Sequence, residues 1–187
     1  MKKTIWIIVV ALVVIVCGYC WTTYNSLVKL GQSVEAEWAN VETQYQRRSD
    51  LIPNLVSTVK GYAKHEQETL AQVISARSKA MNSSADIKEF SAAQEQVSTA
   101  LGRLIALAES YPDLKANTNF LELQAQLEGT ENRIAVARKN YNDIVKAYNI
   151  KIATFPSNLI AKIFGFDKKQ LFTATTEGAE KAPVVQF

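Results

Sequence analysis

Catalysis and metal binding need particular side chains at particular spacings, and this chain offers few of them. Its one histidine, His65, stands in HEQET, where a metalloprotease helix needs a second histidine at the position of Thr69. Cys17 and Cys20 are three residues apart and share a helical face, but no histidine, aspartate or third cysteine accompanies them. They read as small residues of an apolar helix rather than as a redox pair or metal ligands. Gly61, Gly102 and Gly129 stand singly within helical patterns, so no phosphate-cradling loop is present. No nucleophile is set beside a base, and neither an enzyme nor a cofactor or metal site is expected.

The charged residues that remain suggest binding rather than chemistry. One group sits in RRSDLIPN and a second in YPDLKAN; Arg47, Asp50, Asn54, Asp113, Lys115 and Asn117 are the candidates for a polar contact surface. A separate group, Arg48, Glu131 and Arg138, occupies positions where apolar residues are due. An unpaired charge there costs several kcal/mol, so one reading is an ion-pair network that sets the register of packed helices. The alternative is a buried polar site for a small anionic ligand, which would make the protein a membrane-linked sensor or adaptor.

The elements that must position these residues are helical. Among 187 residues only seven are Gly and four Pro, and Ala, Leu, Gln, Glu and Lys are abundant. The 21 basic and 18 acidic residues are spread evenly and leave a net charge of +3, which is no footprint for nucleic acid. At the front, IWIIVVALVVIVCGYCW (residues 5–21) carries no charge and, at about 1.5 Å per residue, is about long enough to cross a bilayer. Trp6 on one side and Tyr19 with Trp21 on the other suit the two interfaces. Val16 and Tyr19 precede the cysteines, which does not suit lipoprotein processing, and a retained anchor is expected. Lys2 and Lys3 place residues 1–4 in the cytoplasm and the body outside it.

Beyond the anchor, Leu27, Val34, Val41, Arg48, Leu55 and Tyr62 form one row at seven-residue spacing, and Gly31, Trp38, Tyr45, Ile52 and Val59 form its companion. Asp86 and Glu89 have capping-box spacing and open a helix with Ile87, Phe90, Val97, Leu101, Leu104 and Ala108 on its apolar face; Gln94 is the one polar position there. A last long helix from near Leu114 repeats Phe120, Leu127, Ile134, Tyr141, Tyr148 and Phe155, and ends before Pro156. A reversal at Ser49 to Pro53 divides the chain into four helices of comparable length, an up-and-down four-helix bundle over residues 22–156. The uninterrupted heptad phase across Pro53 speaks for the opposite, a helix that runs straight on. Either way both polar stretches come to about the same height on the bundle, and with the reversal that height is the end furthest from the membrane.

Residues 157–166 form a short apolar segment that either packs under the bundle or touches the membrane interface. Residues 167–187 read as a flexible tail. They close on APVVQF, in which Val185 and Phe187 have the form that a PDZ-type sheet edge accepts.

Taken together, YNSLV, the Trp of EAEW, RRSDLIPNLV with VKGYAKHE, YPDLKAN with NF, TENRIAVARKNYN, then YN, FP and the closing AP-V-F resemble the LemA family of bacterial membrane-anchored proteins. The similarity runs from about Tyr24 to the C-terminus. It implies a membrane helix followed by an up-and-down four-helix bundle, with no catalytic or cofactor residues to carry over. Members are often encoded near membrane proteases of the HtpX type or near other envelope proteins. The ending departs from the usual form, which has lysine and aspartate where Val184 and Gln186 stand. These features together lead us to expect a non-catalytic scaffold or interaction module of the cell envelope, with an HtpX-type protease or a PDZ-bearing protein among its possible partners and self-association as a further option.

Overall fold

The computed structural model describes residues 2–83 and 86–172. Among them there is no strand. The helices are α1 (Lys2–Tyr62), α2 (Gln67–Met81), α3 (Ile87–Ala108), the single turn α4 (Pro112–Lys115), α5 (Thr118–Ala153) and α6 (Ser157–Phe164). The chain divides into two compact units, Met1–Ala39 with Asn140–Leu171 and Asn40–Lys139 with Phe172–Phe187. Val185 and Phe187 lie outside the described residues.

In the first unit α1 opens with the one stretch of the described residues that is long and apolar enough to cross a membrane. Its side chains from Ile5 to Val16 stand exposed, as lipid-facing residues should. Further along, Leu27 and Val34 of α1 are buried, as are Tyr141, Val145, Tyr148 and Ile152 of α5 and Ile160 and Ala161 of α6. Trp38 meets Tyr141 edge-on with ring centroids 5.6 Å apart. The seam of α5 ends at Ile152 rather than at Phe155, which is 74% exposed, because the helix stops at Ala153. The segment after α6 is tied back and does not begin a free tail at Asp167. Asn149 both donates to the Lys169 carbonyl and accepts from its N–H, and the Tyr141 hydroxyl donates to the Gln170 carbonyl.

In the second unit one apolar core draws on Ile52, Leu55 and Val59 of α1, Leu70 and Val73 of α2, Val97, Leu101 and Leu104 of α3, Leu114 of α4, and Phe120 and Leu127 of α5. Asp86 caps α3 as its sequence predicts, its carboxylate accepting from the N–H groups of Lys88 and Glu89. The start of α5 differs from expectation. Leu114 belongs to α4, and α5 begins after Asn117, whose side-chain oxygen accepts from the Phe120 N–H.

The expected reversal at Ser49 to Pro53 does not occur. Pro53 lies inside α1, and the chain turns instead at Ala63 to Glu66. A proline within a helix has no N–H to offer the carbonyl four residues back, which here belongs to Ser49, a residue only 3% exposed. A buried carbonyl without a donor is costly. Arg77 of α2 supplies one, its Nε–H donating to the Ser49 carbonyl at 2.9 Å. The heptad phase continues across the proline because the ring points outward, Pro53 itself being exposed, while Ile52 and Leu55 stay buried.

Candidate functional site

The most heavily built polar feature is centred on Arg48, at 1% exposure the largest fully buried side chain among the described residues. It falls on the buried face of α1 because the heptad row puts it there, between Val41 and Leu55. A buried guanidinium survives only if its donors are met and its charge is balanced. One terminal nitrogen, Nη1, donates to Ser98 Oγ and Glu131 Oε1, each at 2.8 Å. The other, Nη2, donates to the carbonyl and side-chain oxygens of Gln94 at 3.0 and 2.7 Å. Among the described residues its Nε has no partner. The guanidinium also lies over the Tyr45 ring, 5.0 Å from its centroid.

Arg138 joins this layer through Tyr45. Its guanidinium lies over the Phe172 ring, 5.1 Å from the centroid. Burial pushes the Tyr45 pKa up, and the positive charges of Arg138 and Arg48 partly offset this by lowering it. The predicted trio is thus brought together, with Glu131 paired to Arg48 and Arg138 linked through the tyrosine. Glu131 is 46% exposed, so the layer reaches the surface on that side. Its Gln94 was visible in the sequence as the one polar position of the α3 face. Ser98 carried no signal, and Arg77 carried one only through the donor that Pro53 lacks.

The proposed contact residues are not in one place. Arg47, Asp50 and Asn54 are exposed along the middle of α1, where Asp50 accepts from the Gln46 amide. Asp113, Lys115 and Asn117 lie at a turn end instead. There the Tyr111 hydroxyl donates to Glu66 Oε1 at 3.0 Å, and the Asn117 amide donates to the Tyr62 hydroxyl at 2.9 Å. The bond to the Glu66 carboxylate raises the Tyr111 pKa. Leu114 of α4 is fully buried, while Asp113 and Lys115 are exposed. From Asp50 to Tyr62 is twelve residues of helix, about 18 Å. The two groups were expected at about the same height whether or not the chain turned at Pro53, and the continuous α1 sets them apart instead.

His65 is exposed at the α1–α2 turn, and no group of three His, Cys, Asp or Glu among the described residues is placed to hold a metal ion. Cys17 and Cys20 are free thiols within the apolar part of α1.

Residues 37–187 match the LemA family. Magnetosome protein MamQ 2 of Paramagnetospirillum magneticum is 27% identical over 180 residues, covering 83% of this chain and 66% of that protein. Protein LemA of Metamycoplasma hominis is 27% identical over 151 residues, covering 81% and 69%. Magnetosome protein MamQ of Magnetospirillum gryphiswaldense is 25% identical over 174 residues, covering 80% and 64%. The chain thus spans slightly less than two thirds of the MamQ proteins it resembles.

Proposed function

This chain belongs to the LemA family and is a membrane protein, and from that premise we propose that it is a non-catalytic, single-pass scaffold of the bacterial cell envelope. Lys2 and Lys3 support a cytoplasmic N-terminus in the inner membrane and an extracytoplasmic body. The shared core of α1, α2, α3 and α5 supports an up-and-down four-helix bundle as that body. The observation that carries the reading is the turn end around α4. Side-chain bonds at Tyr111 and Asn117 and the buried Leu114 hold it in place, so Asp113 and Lys115 are displayed with little conformational entropy left to lose on binding. Arg47, Asp50 and Asn54 form a second, separate patch on α1.

The partner classes that fit are other envelope proteins, an HtpX-type protease or a PDZ-bearing protein among them. Crosslinking full-length protein in its native membrane, with mass spectrometry of what is captured, tests this. A discrete partner lost on Asp113→Lys with Lys115→Glu supports the scaffold reading. A partner set unchanged by that pair and by Arg47→Glu overturns it. The buried Nε of Arg48, unpaired among the described residues, favours a second reading, a small anion held near Arg48, Glu131 and Arg138. Stabilisation of the folded chain by inorganic phosphate that is lost on Arg138→Gln would speak for it.

A further inference from the structure

The face that α6 turns outward is the wrong chemistry for water. A helix on a soluble surface buries an apolar stripe and shows a polar one. Here Ile160 and Ala161 are buried, yet the outward positions are Leu159, Ile163 and Phe164, exposed at 53%, 75% and 57%. Phe155, just before the helix, adds another exposed ring. The helix is also firmly held. The Ser157 hydroxyl sits on the carbonyls of Lys151 and Thr154, and the Phe166 N–H closes back on the Ala161 carbonyl. That closure turns on Gly165 at φ +72°, a conformation that glycine adopts without strain.

What covers this face is indicated by where it lies within its own unit. Tyr24 of α1 meets Phe164 with ring centroids 4.8 Å apart and Phe166 at 5.8 Å. Tyr24 is three residues past Trp21, about 4.5 Å of helix rise, and Trp21 is 74% exposed at the end of the apolar stretch. The α6 face therefore continues the lipid-facing surface of the anchor at the level where tryptophan and tyrosine sit at a bilayer interface. Lys162, Lys168 and Lys169 are exposed on and just after α6, with Asp167 the one acid among them. Apolar side chains flanked by lysine are the composition of a helix that lies in the interface on anionic lipid.

We propose that α6 is a second membrane contact. Leu159, Ile163 and Phe164 enter the interfacial zone of the bilayer that α1 crosses, and Lys162, Lys168 and Lys169 meet phospholipid headgroups. The contact adds to the anchor and fixes the tilt of the unit that carries it. It rests on the anchor reading but not on any protein partner.

The test uses the full-length chain with Cys17→Ala and Cys20→Ala and one new cysteine carrying an environment-sensitive fluorophore. The protein is reconstituted in phosphatidylcholine vesicles containing a minor share of phosphatidylglycerol. Reporter positions are Ile163→Cys and Leu159→Cys on α6, Leu12→Cys in the anchor and Lys88→Cys on α3. A spin label high on the lipid acyl chain should quench the two α6 reporters at least about twofold more than the Lys88→Cys reporter, with aqueous iodide doing the reverse. Replacing Lys162, Lys168 and Lys169 by Gln should lower the lipid quenching. Iodide access without lipid quenching at α6, with Leu12→Cys still lipid-quenched, overturns the proposal and leaves the anchor standing. Protection from both quenchers also overturns it and assigns the face to protein, a second copy included. Loss of lipid quenching at Leu12→Cys as well removes the anchor along with α6.

Discussion

Pro53 and Arg77 form a pair whose coupling can be worked from the structure. Pro53 deprives the buried Ser49 carbonyl of its helical donor, and Arg77 Nε–H replaces that donor at 2.9 Å. Arg77→Met keeps most of the aliphatic stem and removes only the donor. A hydrogen bond from a charged group is worth about 1.5–3 kcal/mol, and the orphaned carbonyl lies in the same range, so the substitution should cost about 2 kcal/mol. Pro53→Ala returns an N–H to the helix and makes the arginine redundant. In that background Arg77→Met should cost no more than about 0.5 kcal/mol, a coupling of about 1.5 kcal/mol between residues on different helices. Urea unfolding of the full-length chain in detergent, followed by circular dichroism, gives all four corners of the cycle. Equal costs of Arg77→Met in the two backgrounds would refute the idea that Arg77 exists to serve the proline. A large loss of stability on Pro53→Ala would refute it as well, since the helical bond that alanine restores should favour α1.

Three other outcomes follow from the same geometry. Arg48→Ala strands Gln94, Ser98 and Glu131 and should lower unfolding stability by about 3–5 kcal/mol; Glu131→Gln, which leaves the buried guanidinium without its counter-charge, should cost about 1–3 kcal/mol in the same urea titration. Asp86→Ala removes the cap of α3 and should cost about 1 kcal/mol, with hydrogen exchange accelerated first at the Lys88 and Glu89 amides. Burial raises the Tyr141 pKa, so its neutral form is favoured by folding. Its contribution is complete below the unfolded value of about 10 and is lost as pH rises through the higher folded value, so the melting temperature should fall above about pH 10, and Tyr141→Phe should make that fall shallower.

Periodicity and composition were enough to identify the helical class, the apolar front end and the burial of Arg48. A seven-residue repeat states which face of a helix is buried before any partner is known, and the row from Leu27 to Leu55 is buried in the structure, whereas Tyr62 at its end is 44% exposed. The Asp86 cap was equally legible, because capping is satisfied within four residues of chain. The turn at Pro53 was misread for a matching reason. Whether a proline ends a helix depends on whether something distant can satisfy the carbonyl it abandons, and Arg77 lies on another element. Once α1 continued to Tyr62, the polar stretches around Asp50 and Asp113 separated, and the α4 end became a surface of its own. The same division holds for α6. Its apolar character is written in SNLIAKIF, but which of those residues face inward was decided by Tyr24, Ser157 and the left-handed Gly165, through contacts and a closing turn that the order of residues does not display. Local chemistry is thus readable from the chain itself, whereas the partners that absorb a missing donor or leave an apolar face uncovered exist only in the folded arrangement.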